Sequence, residues 1–248
     1  MTEVLIGFLA GYFSGHFGLG GGLITTPAIR LWLGRPALIA VGTPLLVNIP
    51  TAIAGAYSYN RKGFIALDLV PPLAISGMVG AVAGALATRF VSGHLILLIT
   101  AAVIFSLSWR FILRAESAHR SRRVVSRTVL VLSGLGIGVA SGFLGLGGGF
   151  LLVPFLSLFL GLDMKTTFGT SLAVVGALTI PGVAVHYLLG HVDLNLGALL
   201  VIGVIPGALL GSWVAMRLPN RWLRVMFGVL LSLISLYMGY FELTRLVP

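Results

Sequence analysis

Two glycine clusters, Gly18-Leu19-Gly20-Gly21-Gly22 and Gly145-Leu146-Gly147-Gly148-Gly149, stand out as the places where this sequence could do chemistry. Without a Cβ, nothing keeps an anion from approaching the backbone N–H groups. A cluster that opens a helix also offers the positive end of the helix dipole. The candidate ligand positions are therefore Gly20, Gly21 and Gly22 with Gly147, Gly148 and Gly149. A tight bend that only packs helices would use the same residues, and for one cluster alone the two readings weigh about equally. The cluster occurs twice at matching positions, which favours the binding reading. Polar side chains in apolar surroundings extend the set: Thr43 and Asn48 in one region, Thr170 and Ser171 in the other, with Thr51 and Thr179 nearby. Such neutral donors hold an oxyanion without the cost of a buried charge. Hydroxyls on helices also bond back to their own backbone, so each Thr or Ser alone carries little. Asn48 carries more, because an amide in hydrocarbon needs partners.

Other chemistries are not spelled out. Neither glycine cluster completes G-x-G-x-x-G, since Leu23 and Phe150 occupy the sixth position, and neither is followed by a P-loop lysine. No H-E-x-x-H occurs, the six acidic residues are scattered, and there is no Cys. The sequence thus reads as a non-enzyme, with no cofactor and no metal. Three ionisable residues remain open for proton work. His16 lies beside the first cluster and has Phe143 as its counterpart; Asp68 and His186 are read as helix-end residues, His186 as interfacial.

The elements that must position these groups are membrane helices. Of 248 residues, 58% are hydrophobic and 9% are charged, against about 25% in a soluble domain. Mean hydropathy is +1.08 along the chain. These values exclude an ordinary soluble enzyme and a disordered chain. The first apolar run starts at Val4 with no basic segment before it, so no cleavable signal peptide is read.

A repeat organises the chain. Ser14-Gly-His-Phe-Gly-Leu-Gly-Gly-Gly-Leu-Ile-Thr-Thr-Pro27 matches Ser141-Gly-Phe-Leu-Gly-Leu-Gly-Gly-Gly-Phe-Leu-Leu-Val-Pro154 at an offset of 127 residues. The match continues through Gly42-Thr43 on Gly169-Thr170, Gly55 on Gly182, Gly63 on Gly190, and Gly80-Ala81 on Gly207-Ala208. The domain reading is repeat 1 over 1–113, a basic linker over 114–127, and repeat 2 over 128–248, the two repeats forming one transport domain. Each repeat reads as a long apolar stretch broken by its glycines (4–33; 130–160), then three more (37–59, 64–88, 94–113; 166–189, 194–216, 222–243). Small-xxx-small spacings such as Gly7/Gly11/Gly15 and Gly134/Gly138/Gly142 let helix backbones approach closely.

Charge chooses between two topologies. The formal net charge is +10 from 16 Lys+Arg and 6 Asp+Glu. The basic residues lie between apolar stretches, so they read as orientation signals and not as a nucleic-acid surface. If each broken stretch crosses once, the repeats are parallel, and nine Lys+Arg face the linker side against seven opposite. If each dips in and returns to its own side, the repeats are inverted, and the count is twelve against four. The positive-inside bias prefers twelve to four. The expected fold is an all-α polytopic membrane protein built as an inverted repeat. Each half has a Gly-rich re-entrant helical hairpin plus three transmembrane helices, six crossings in all, with the hairpins meeting near the midplane. The linker 114–127, with Arg114, Arg120, Arg122, Arg123 and Arg127 and with Arg110 just before it, is expected to be cytoplasmic.

The duplicated S-G-x-x-G-L-G-G-G-x-x-x-x-P element, Val41-Gly42-Thr43, Phe168-Gly169-Thr170-Ser171-Leu172 and Gly190-His191-Val192-Asp193 together resemble the sulfite exporter TauE/SafE family, also called the TSUP family. The resemblance spans nearly the whole chain. It implies a multi-pass carrier of the bacterial inner membrane that moves sulfite or small organosulfonate anions, commonly outward. Two departures, Pro44 against Ser171 and Ala66 against Asp193, imply that the halves contact substrate unequally. The leading expectation is a secondary transporter of a small sulfur oxyanion working by alternating access. Its partners are that anion and the lipid bilayer, and a homodimer is compatible with it. A passive anion channel and a non-transporting scaffold subunit are the alternatives.

Overall fold

In hydrocarbon every backbone N–H and C=O must find a partner within the chain, which leaves helices as the natural elements for such apolar stretches. The computed structural model describes residues 1–113 and 122–244 and is all-helical over them. Ten α-helices follow in order: α1 (Thr2–Phe17), α2 (Gly22–Pro27), α3 (Ala37–Asn60), α4 (Val70–Ala87), α5 (Gly93–Leu113), α6 (Arg127–Leu144), α7 (Gly149–Pro154), α8 (Met164–Leu188), α9 (Leu194–Arg217) and α10 (Asn220–Thr244).

Local sequence explains the boundaries. Asp163 and Asp193 cap α8 and α9, accepting from Thr166 N–H at 3.2 Å and Leu196 N–H at 3.0 Å. Pro71 and Pro72 sit where a helix tolerates them, in its first turn. This is why α4 starts at Val70 and residues 64–69 form a turn, later than the stretch 64–88 suggests. α1 and α6 both end on a left-handed glycine, Gly18 and Gly145. Pro27 and Pro154 then lie inside the short helices α2 and α7. Each is followed by one π-helical turn, Ala28–Trp32 and Phe155–Phe159, where the ring disturbs the regular hydrogen-bond ladder.

Both broken stretches fold back. Ile6 and Ala10 of α1 share a core cluster with Ala28 and Ile29. In the second stretch Leu130 of α6 shares a core cluster with Leu156 and Leu160, so its beginning meets its end. Among the described residues, six helices are long and apolar enough to cross a bilayer: α3, α4 with its 3₁₀ extension to Phe90, α6, α8, α9 and α10. α5 runs 21 residues, also long enough, and is apolar over Gly93–Trp109. α6 has the length of a crossing, but the chain turns at Gly145 after it.

Helix pairing follows the offset of 127. α1 packs along α9, and α6 along α4. Gly7, Gly11 and Gly15 lie on the backbones of Leu200, Val204 and Ala208, so α1 and α9 run parallel. Gly134, Gly138 and Gly142 lie on Leu73, Gly77 and Ala81, so α6 and α4 do too. α3 and α8 pack at the centre in opposite directions: Gly169 meets Tyr59, Gly55 meets Leu172, Gly176 meets Ala52, and Gly182 faces Leu45. Accordingly Lys165, at the start of α8, lies over the ring of Phe64, just past the end of α3.

Candidate functional site

The two glycine clusters meet. A Cβ on Gly22 would press on the backbone of Leu146, and a Cβ on Gly149 would overlap the backbone of Leu19, the reciprocal contact 127 residues away. The hairpin tips therefore touch main chain to main chain, which only glycine permits there.

Asn48, from the middle of α3, is wedged between the tips and fully buried. Its Oδ1 accepts from Gly22 N–H at 2.6 Å, which holds the first tip in place. Its Nδ2 lies against Gly147 and has no hydrogen-bond partner. A buried amide with an unspent N–H pair is costly unless something accepts from it. On α8 the equivalent position is Val175, which touches the same two glycines, Gly20 and Gly147. The junction is thus symmetric in backbone and polar on one side only. Ser14 and Ser141, at equivalent places before each cluster, also have buried hydroxyls without partners, and Ser141 lies close to Gly148. The repeated Ser of the S-G-x-x-G-L-G-G-G element was a readable signal for both.

The other residues singled out from sequence divide. Ser171 reaches the edge of the junction, donating to Gly18 C=O at 2.7 Å. Thr43 and Thr170 do not come to it. Their hydroxyls accept from Asp193 N–H at 3.0 Å and Ala66 N–H at 2.9 Å, tying each central helix to the loop before α9 or α4. Thr51 and Thr179 bond back to Val47 and Val175 carbonyls at 2.6 and 2.8 Å. Asp68 lies at an exposed corner, paired with Arg122. His16 is 1% exposed, with no partner at either ring nitrogen. His186 stands in the last turn of α8 and is fully buried against protein, with Nε2 donating to Gly142 C=O at 2.8 Å. Of the basic linker, Arg114 and Arg120 lie outside the described residues.

The junction offers a buried amide and glycine backbone at the centre of a helical membrane protein, an arrangement suited to holding a small anion. Comparison with known proteins agrees with a transport role. The chain is 28% identical over 230 residues to the "Probable membrane transporter protein YdhB" of Bacillus subtilis, covering 91% of this chain and 92% of that one. It is 29% identical to a "Probable membrane transporter protein" of Xylella fastidiosa over 93% of this chain and 91% of the relative. It is 24% identical to the "Probable membrane transporter protein MJ0441" of Methanocaldococcus jannaschii over 95% and 93%. No solved structure matches it. The family model described as "Sulfite exporter TauE/SafE" matches residues 4–238, and this multi-pass membrane protein belongs to that family.

Proposed function

We propose that the chain is a secondary carrier that exports sulfite or a small organosulfonate across the plasma membrane. The anion is held where the two glycine tips meet. The observation that carries this reading is Asn48: a fully buried amide with Nδ2 unspent, set between Gly20–Gly22 and Gly147–Gly149. Asn48 Nδ2 donates to a sulfonyl oxygen, glycine N–H groups supply further donors, and Ser171 holds the first tip through Gly18. Sulfur oxyanions suit neutral donors because their charge is spread over several oxygens, each able to accept a hydrogen bond.

Residues 1–113 and 128–248 act as two inverted halves of one transport unit, joined by the linker 114–127 on the cytoplasmic side. The antiparallel run of α3 against α8 supports inversion, since equivalent helices with opposite directions place the two-fold relation in the membrane plane. The fold-back of both broken stretches supports re-entrant hairpins. A carrier is favoured over an open channel because the tips close the centre by backbone contact. The test is sulfite flux into proteoliposomes with Asn48→Val and Gly148→Leu beside the unaltered protein. Asn48→Val is expected to lower flux by about a hundredfold and Gly148→Leu to abolish it. Unimpaired flux in both would overturn the site, and large single-channel currents would overturn the carrier.

A further inference from the structure

The two turns that follow the central helices share a backbone but differ in side chains. In the first, Phe64 N–H donates to Tyr59 C=O at 3.0 Å; in the second, His191 N–H donates to His186 C=O at 2.9 Å. Tyr59 O–H donates to Gly15 C=O at 3.0 Å, and His186 Nε2–H donates to Gly142 C=O at 2.8 Å. Thr170 and Thr43 accept from the amides of Ala66 and Asp193. Every one of these pairs is related by 127 residues. Where the first turn has Tyr59, Phe64 and Ala66, the second has His186, His191 and Asp193. Two imidazoles have thus been placed in one of two otherwise equivalent turns.

The two imidazoles touch, Nδ1 to Nδ1, at 3.2 Å. A carbonyl only accepts, so His186 Nε2 carries a proton, and neutral His186 presents an acceptor at Nδ1. His191 Nδ1–H then fills it. A first added proton goes to His191 Nε2 and leaves this contact intact. A second, at His186 Nδ1, sets two N–H groups and two positive charges face to face and breaks it. We propose that the His186–His191 pair is a proton-binding site that controls the turn Leu189–Asp193 and, through it, the start of α3. This rests on the transporter reading for its role: the turn seals one end of the pathway, and its counterpart at Phe64 does not respond to protons.

The surroundings leave the pair in command. His191 is 9% exposed, close enough to solvent to take up a proton. Burial holds its imidazole below the ordinary histidine range. The neutral form therefore stabilises the closed turn at neutral and alkaline pH; that stabilisation begins to fall as pH drops below the usual value of 6.5, and the contact itself opens only with the second proton. Asp193 is occupied with Leu196 N–H and lies 3.9 Å from the Arg35 guanidinium. Around His186, α4 has no titratable side chain between Val70 and Ala87, and Arg89 follows in its 3₁₀ extension; α6 carries Arg127 at its far end, α9 carries Arg217 at its far end, and α5, against the start of α3, carries His94 beside Arg30. On α3 the titratable residues are Tyr57 and Tyr59, also at the far end. On α8 they are Lys165 at the opposite end and Tyr187, exposed beside it.

The test is amide hydrogen exchange on the full-length protein in detergent, read as protection factors after correction for intrinsic rates, from about pH 8 to about pH 4, low enough to add the second proton. The amides of His191 and Asp193 are expected to lose about tenfold in protection on acidification, the scale of one hydrogen bond, while those of Phe64 and Ala66 stay level. His191→Phe and His186→Tyr, which copy the first turn, are expected to flatten the response. Equal, level protection in both turns, or an unchanged response in both variants, would overturn the proposal. The readout needs no substrate. A pH response without sulfite flux would overturn the carrier and not this site; flux with level protection would do the reverse.

Discussion

At the first hairpin tip Gly21 lies in ordinary right-handed helical space, φ −64° and ψ −22°, whereas Gly148 at the second has φ +78°. The same five-residue motif therefore takes two conformations at the point of contact. The difference follows from the neighbours: Asn48 draws Gly22 N–H toward itself, and its counterpart Val175 has no acceptor to offer Gly149. One polar side chain, present in one half only, is enough to break the symmetry of a duplicated site. Duplication supplies a scaffold; single substitutions upon it supply direction.

That contrast can be broken in order of severity. Gly22→Val and Gly149→Val strike what the tips share. Each forces a branched side chain into the opposite main chain, and each is expected to destabilise the protein by about 3 kcal/mol or more in mixed-micelle unfolding. A mild effect in either would mean that the tips separate freely. Asn48→Val makes the halves alike and is expected to lower sulfite uptake by about a hundredfold, the order of one lost buried donor to a charged ligand plus an unpaired Gly22 N–H. Near-normal uptake would remove Asn48 from the site. Gly148→Ala is expected to cost about 1–2 kcal/mol because an L side chain resists positive φ. Gly21→Ala, at right-handed φ but with the added Cβ 3.3 Å from Thr51 Oγ1, is expected to cost less, about 1 kcal/mol. Equal costs would show that the tips share one conformation after all. Tyr59→Phe removes one hydrogen bond to Gly15 and is expected to cost about 0.5–1 kcal/mol at every pH. A cost that varied between pH 5 and pH 8 would place proton sensitivity in the wrong turn.

Much of this was legible in the residues. The clusters, their repeat and the fold-back after Gly18 and Gly145 follow from glycine content and spacing. The meeting of the tips follows from needing to bury irregular backbone against protein. The roles of Thr43 and Thr170 were not legible. A threonine in an apolar stretch looks the same whether its hydroxyl serves a ligand, its own helix or the amide of a distant loop. Length alone does not separate a crossing from a hairpin arm: α6 is 18 residues long, and it is the glycines after Leu144 that turn the chain back. His186 stood out in the sequence as an ionisable residue, but its pairing with His191 was hidden. The two lie five apart across a turn, a spacing that matches no helix or strand face, and only the contact between them shows the pair.

The pairing of α1 with α9, and of α6 with α4, has a consequence for how the chain is made. Synthesis runs from the N-terminus, so the glycine face of α1 emerges long before Leu200, Val204 and Ala208 exist to cover it. The first hairpin must wait in the bilayer until almost the whole polypeptide has been threaded, whereas α6 finds α4 already in place. Assembly is therefore completed by the latest-made third of the molecule closing over the earliest. A chain cut short before α9 would leave its first helix without a partner, however well the rest had inserted.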